Sequence, residues 1–196
     1  MSSVFDTRKN YTIGTVKPVK QTTTGTPELQ SWTFRFEALP KTLEELQALN
    51  ICDLSQPQNT AALTLLALCV FHENQQECFR MLDFLNGPMP FSATEKQFLR
   101  ERFMEGGDYI PFSYFSGATP ENDYKPDKPY TLVISEQANS RADLSIGYLT
   151  LYFKSGGADT ARHIKLRQKD SNRNWYFYEQ FLMVGIRRPA SKDPWA

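Results

Sequence analysis

The chain has 196 residues, 40% hydrophobic and 13% aromatic, enough apolar surface for one domain with a sizeable core and too much for global disorder. Lys plus Arg and Asp plus Glu number 22 each, so no net field draws nucleic acid or an anionic membrane, and neither is expected as a partner. The longest apolar run, AALTLLALCVF at 61–71, is about half the length a spanning helix needs. The beginning of the chain shows no basic start followed by apolar residues, and Cys52, Cys69 and Cys78 make an odd number suited to free thiols. A cytoplasmic protein is expected.

In chain order, residues 1–30 are polar and Thr-rich and read as a mobile or extended arm, and 31–196 as a single α+β domain. SWTFRF alternates, placing Trp32, Phe34 and Phe36 on one face of a strand or extended segment. Thr42 with Glu45, Asn74 with Glu77 and Ser92 with Glu95 each have the spacing of a capping box and start three helices. AALTLLALCVF, apolar nearly all round, makes another, buried on most sides. Asn86-Gly87-Pro88 stops the helix that carries Cys78, Met81, Leu82 and Leu85 on one face. After Gly106 the period becomes that of strands: YTLVIS, GYLTLYFK, RHIKLRQK and NWYFYEQF, the last three joined through SGGAD and KDSNRN. The expected architecture is an N-terminal helical cluster followed by a bent antiparallel sheet of four or five strands, with NTF2-like or cystatin-like folds as the analogy.

Catalytic signatures are missing from the sequence. HENQQE carries Gln76 where a zinc-protease helix needs its second histidine, and no Gly-x-Ser-x-Gly elbow, phosphate loop or Cys-x-x-Cys occurs. His72 reads as a helix-end or surface residue. Cys69 lies three residues from it, but inside an apolar run that makes the thiol inert. No catalytic residue, metal site or cofactor is expected.

Two stretches carry the candidate binding residues. Alternation puts Leu149, Leu151, Phe153, Ile164 and Leu166 on one sheet face, and Tyr148, Tyr152, His163, Lys165, Arg167, Tyr176 and Tyr178 on the other. Tyrosines beside Lys and Arg suit an anionic or aromatic ligand, or a peptide. The plainer interpretation, a solvated face with lysine stems over rings, is favoured. YIPFSYFSGATPENDY, at 109–124, reads first as a crossover whose rings seal the domain and second as a recognition loop presenting Tyr109, Phe112, Tyr114, Phe115 and Tyr124.

TAALTLLALCVF, CFRMLDFLNGP, YIPFSYFSGATPENDY, LYFKSGGAD with HIKLRQK, and the terminal DPWA together resemble an uncharacterised family of Gram-positive anaerobic gut bacteria, a domain of unknown function. The resemblance implies a small bacterial cytoplasmic protein and no activity, cofactor or catalytic residue. Two functions are weighed: a non-catalytic binding or protein-interaction module with an unknown protein or small-molecule partner, or a ligand-binding protein or enzyme with a pocket between helices and curved sheet. A cavity beside His163 or Asp159 would favour the latter.

Overall fold

Period-two alternation builds the first strand, β1 (Ser31–Phe36), and buries Trp32, Phe34 and Phe36. The computed structural model describes residues 28–104 and 106–195; the expected arm falls almost entirely outside them. Four α-helices follow among the described residues: α1 (Leu43–Gln47), α2 (Pro57–Val70), α3 (Gln75–Asn86) and α4 (Ala93–Met104).

Each expected cap forms. The Glu45 N–H donates to Thr42 Oγ1 at 3.2 Å, and the Glu77 N–H to Asn74 Oδ1 at 3.1 Å. Ser92 and Glu95 close a reciprocal box, at 3.2 and 2.8 Å. Glu77 does not return to its own cap; its carboxylate accepts from the Leu43 N–H at 2.9 Å and so ties α3 to the start of α1. Gly87, at φ +68°, stops α3. A Cβ at Gly87 would meet the Tyr176 ring at 2.3 Å, so this turn lies directly against the sheet. In α2 every residue from Thr60 to Val70 is buried, which makes it the central helix.

The sheet continues with β2 (Tyr130–Ser135), β3 (Tyr148–Phe153), β4 (Arg162–Gln168) and β5 (Trp175–Gln180), in the order β1-β2-β3-β4-β5, antiparallel throughout and not closed into a barrel. The helices stand ahead of four of the five strands, and β1 pairs along its whole length with β2. Leu132, Ile134, Leu149, Leu151, Phe153, Ile164, Leu166 and Phe177 pack inward on the helices. Thr60 Oγ1 donates to the Trp175 carbonyl at 2.9 Å, and the Trp175 N–H donates to Leu54 at 2.7 Å, fastening edge strand β5 to the start of α2.

Strands β2 and β3 pair only at Ile134–Phe153 and Ser135–Tyr152. Where they part, the 109–118 crossover enters. Phe115 bridges Leu132, the Ser116 N–H donates to the Thr131 carbonyl at 2.8 Å, and the Gly156 N–H reaches back to the Ser113 carbonyl at 2.9 Å. The glycines of SGGAD permit this contact. A Cβ on Gly156 would sit 1.9 Å from the Ala118 carbonyl oxygen, and one on Gly157 2.0 Å from Tyr124 Oη.

Candidate functional site

The outward side chains of β3, β4 and β5 meet as the register dictates, with Tyr148 opposite Arg167, Thr150 opposite Lys165, and Tyr152 opposite His163. They form two groups. In the first, the Tyr148 ring receives Lys165 Nζ at 5.0 Å and the Arg167 guanidinium at 5.6 Å from its centre, while Tyr178 meets it edge-on at 5.0 Å. In the second, Tyr152 lies 5.6 Å from His163, which lies 4.4 Å from Phe181.

One part of the expected face is not open. The β2–β3 connection, 136–147, folds back across its middle: the Thr150 N–H donates to Ser140 at 3.0 Å, the Tyr152 hydroxyl to Asn139 Oδ1 at 2.9 Å, and Lys165 Nζ to Asp143 Oδ2 at 2.7 Å. Tyr152 is therefore only 7% exposed, and Lys165 is half-buried and paired. The hydrogen bond to Asp143 raises the Lys165 pKa, keeping the ammonium charged. Tyr176 is also partly covered, its ring on Gly87 and its hydroxyl accepting from Asn172 at 3.1 Å. Arg167 and Tyr178 remain exposed.

His163 is half-buried, and burial lowers its pKa; Arg162 pushes the same way, while Glu179 on β5 opposes them. Folding therefore favours the neutral imidazole. The unfolded chain binds the extra proton between the unfolded pKa and the lower folded one, so stability falls as pH drops through that window. Wild type should lose more stability between pH 7 and pH 5 than His163→Gln, measured by urea unfolding at each pH. Equal losses would mean that His163 titrates alike in both states.

At the β4–β5 turn end, a cleft of about 530 Å³ opens between the 86–92 connection and the strands. Pro88, Met89, Pro90, Tyr176, Phe177 and Tyr178 wall it, and its charged lining is balanced, Arg167 and Lys169 against Glu95 and Asp170. A second cleft, about 500 Å³, shares Glu95, Phe177 and Tyr178 and runs along α4 past Phe91 and Phe98. Large apolar side chains crowd this end in the open: Met89 is 67% exposed, Ile146 69% and Tyr178 45%. The turn carrying Ile146 adjoins the cleft because the Gln168 N–H donates to the Gly147 carbonyl at 2.8 Å. Neither cleft is lined by His163 or Asp159; Asp159 pairs with Arg187 at 2.8 Å at the other end of the β3–β4 hairpin. Met89, Pro88, Pro90 and Ile146 were not among the expected site residues. They lie on connections, where the sequence marks them only as turn punctuation.

The crossover rings turn inward. Tyr114, Phe115 and Tyr124 are buried, and Phe112 and Tyr109 half-buried. The tyrosine hydroxyls donate to carbonyls of the segment after β5: Tyr114 to Leu182 at 2.6 Å, Tyr124 to Arg187 at 2.7 Å and Tyr109 to Ile186 at 3.4 Å. Burial pushes Tyr124 up to about 12 and raises Tyr114 well beyond the usual phenol range, so both stay protonated as donors. Those three buried rings form the domain wall and have no open face to present as a recognition loop.

Burial raises the Cys69 and Cys78 thiols far above the range of a reactive cysteine, and His72 is exposed. Among the described residues, no group of three His, Cys, Asp or Glu side chains is placed to hold a metal ion, and no helix is long and apolar enough to cross a membrane.

The fold and site define an α+β domain whose open antiparallel sheet has helices on its inner face and an apolar cleft at one end. The chain belongs to the family described as a domain of unknown function, DUF6935, whose model matches residues 38–190. No curated protein and no solved structure matches it.

Proposed function

We propose that the chain is a non-catalytic binding module of the bacterial cytoplasm whose partner docks on the apolar end of β3–β5, over the cleft walled by Met89, Tyr176 and Tyr178. The observation that carries this reading is the exposure of Met89 and Tyr178 on the wall of one concavity, with Ile146 exposed on the turn that hydrogen-bonds beside it. Exposed apolar residues scattered singly need no explanation, whereas a cluster at a concave site fits a contact surface. Arg167 adds orientation: its guanidinium lies on the Tyr148 face, with no carboxylate partner among the described residues, so it is available to an acidic group. The buried free thiols suit a reducing compartment.

A second reading, a small apolar acid held in the cleft, is favoured by the cleft volume, which falls within the range of about 300–1,000 Å³ usual for ligand pockets. The two differ in the size of the occupant. A photo-cross-linking residue at position 178, introduced into the full chain in its native cells, should yield protein adducts; the same residue at Val133, on the outer face of β2, should not. Equal yields from both positions would remove the docking assignment.

A further inference from the structure

We infer that the partner presents an extended segment, which lies in the groove between β5 and α4 and joins the five-stranded sheet as a further strand beside Phe177 and Gln180. The inference rests on the binding reading above and names the kind of partner. β5 ends the sheet, and an edge strand carries main-chain groups that no neighbouring strand bonds.

The alternation of an antiparallel ladder decides which groups these are. The Lys169 N–H donates to the Asn174 carbonyl at 2.9 Å, so Lys169 bonds across to Asn174 and, two residues on, Arg167 to Tyr176. Trp175 and Phe177 therefore turn their N–H and C=O away from β4. The Gln168 N–H sets the same phase from the other side, since it donates toward β3, to the Gly147 carbonyl at 2.8 Å. Past the register shift the Phe181 N–H donates to the His163 carbonyl at 2.9 Å, which turns Gln180 outward as well. Trp175 is closed off, because its N–H donates to Leu54 and its carbonyl accepts from Thr60. The main-chain N–H and C=O of Phe177 and Gln180 meet no partner among the described residues. The edge is sealed at Trp175 and open from Phe177 onward.

The open part is one wall of the groove. Phe177 to Gln180 line one side of the cleft of about 500 Å³, and Phe91, Thr94 and Phe98 line the other. A groove between an edge strand and a helix suits a guest strand, whose main chain bonds the edge while alternate side chains reach the helix. Here those side chains meet Phe91 and Phe98, so the guest is apolar at alternate positions. The charged lining of this groove is Glu95 and Glu179, with no cation beside them. Glu95 is held in the α4 cap, whereas Glu179 is exposed and forms no ion pair among the described residues. The guest therefore carries lysine or arginine where it passes Glu179.

Random eight-residue peptides, displayed for selection against the full chain, supply the probe. Those recovered should alternate apolar residues and include a basic one. A selected peptide should slow amide exchange at Phe177 and Gln180 severalfold and leave Ser31 and Thr33, on the opposite edge strand, unchanged. Methylating the peptide's main-chain nitrogens one at a time should weaken binding about tenfold at alternate positions and little between them. Thr94→Trp, filling the groove from an exposed position, and Glu179→Lys should each weaken binding to a similar degree at an unchanged urea midpoint. A selection that yields no binder, unchanged exchange at both amides, or methylation tolerated at every position would each overturn the inference. If position 178 still cross-links to a protein in cells while no peptide slows these amides, the binding reading stands and this mode of docking falls. If neither is seen, both fall.

Discussion

Leu66→Ala should lower the unfolding free energy by about 2–5 kcal/mol, the largest effect expected of a single truncation in this chain. Leu66 is fully buried at the middle of α2, the helix enclosed from Thr60 to Val70. A helix buried all round has no solvent side toward which the neighbours can relax, so the truncation leaves a cavity beside α2. A change under about 1 kcal/mol in urea unfolding would mean that the core does not centre on α2. Phe79→Ala should follow in size; its ring meets Phe71 edge-on at 5.7 Å but also lies within 5.5 Å of Lys96 Nζ nearer the surface.

The second large effect is expected at Gly156→Ala. The added methyl would meet the Ala118 carbonyl oxygen at 1.9 Å, and that atom belongs to backbone and cannot rotate away. Either the β3–β4 loop or the crossover must move, stretching the Gly156–Ser113 hydrogen bond and disturbing the buried Ser113–Ser155 hydroxyl pair, which stands at 2.8 Å. A cost of about 1–3 kcal/mol or more is expected, with faster amide exchange at Gly156 and Ser116. Unchanged exchange at both amides would show that the crossover does not lean on this loop.

What could be read from the sequence was what is local. The caps at Thr42, Asn74 and Ser92 and the stop at Gly87 depend on residues three or four apart, and all four form. Sheet faces follow a period of two, so Leu149, Leu151 and Phe153 fall inward and Tyr148 outward without knowledge of any partner strand. Long-range closure was not legible. Tyr152 is covered only because 136–147 folds back through Ser140, Asn139 and Asp143, none of which signals its destination in the sequence. The bulge that sets Leu166 opposite Phe177 and Lys165 opposite Glu179 is equally invisible, although it moves Tyr178 along the edge strand relative to β4. The cleft escaped for a different reason. Met89 and Ile146 matter by lacking neighbours, and a missing contact leaves no periodicity. A methionine between two prolines after a helix stop was the one available hint.

The central claim is that Met89, Ile146 and Tyr178 are exposed for contact with a partner and contribute little to holding the fold. The most direct measurement is the cross-linking yield from position 178 in the Met89→Ser, Ile146→Ser double variant. Both side chains are about two-thirds solvated, so the urea midpoint should stay near that of wild type while the adduct yield falls severalfold. An undiminished yield at an unchanged midpoint would contradict the account and place the contact surface elsewhere on the domain.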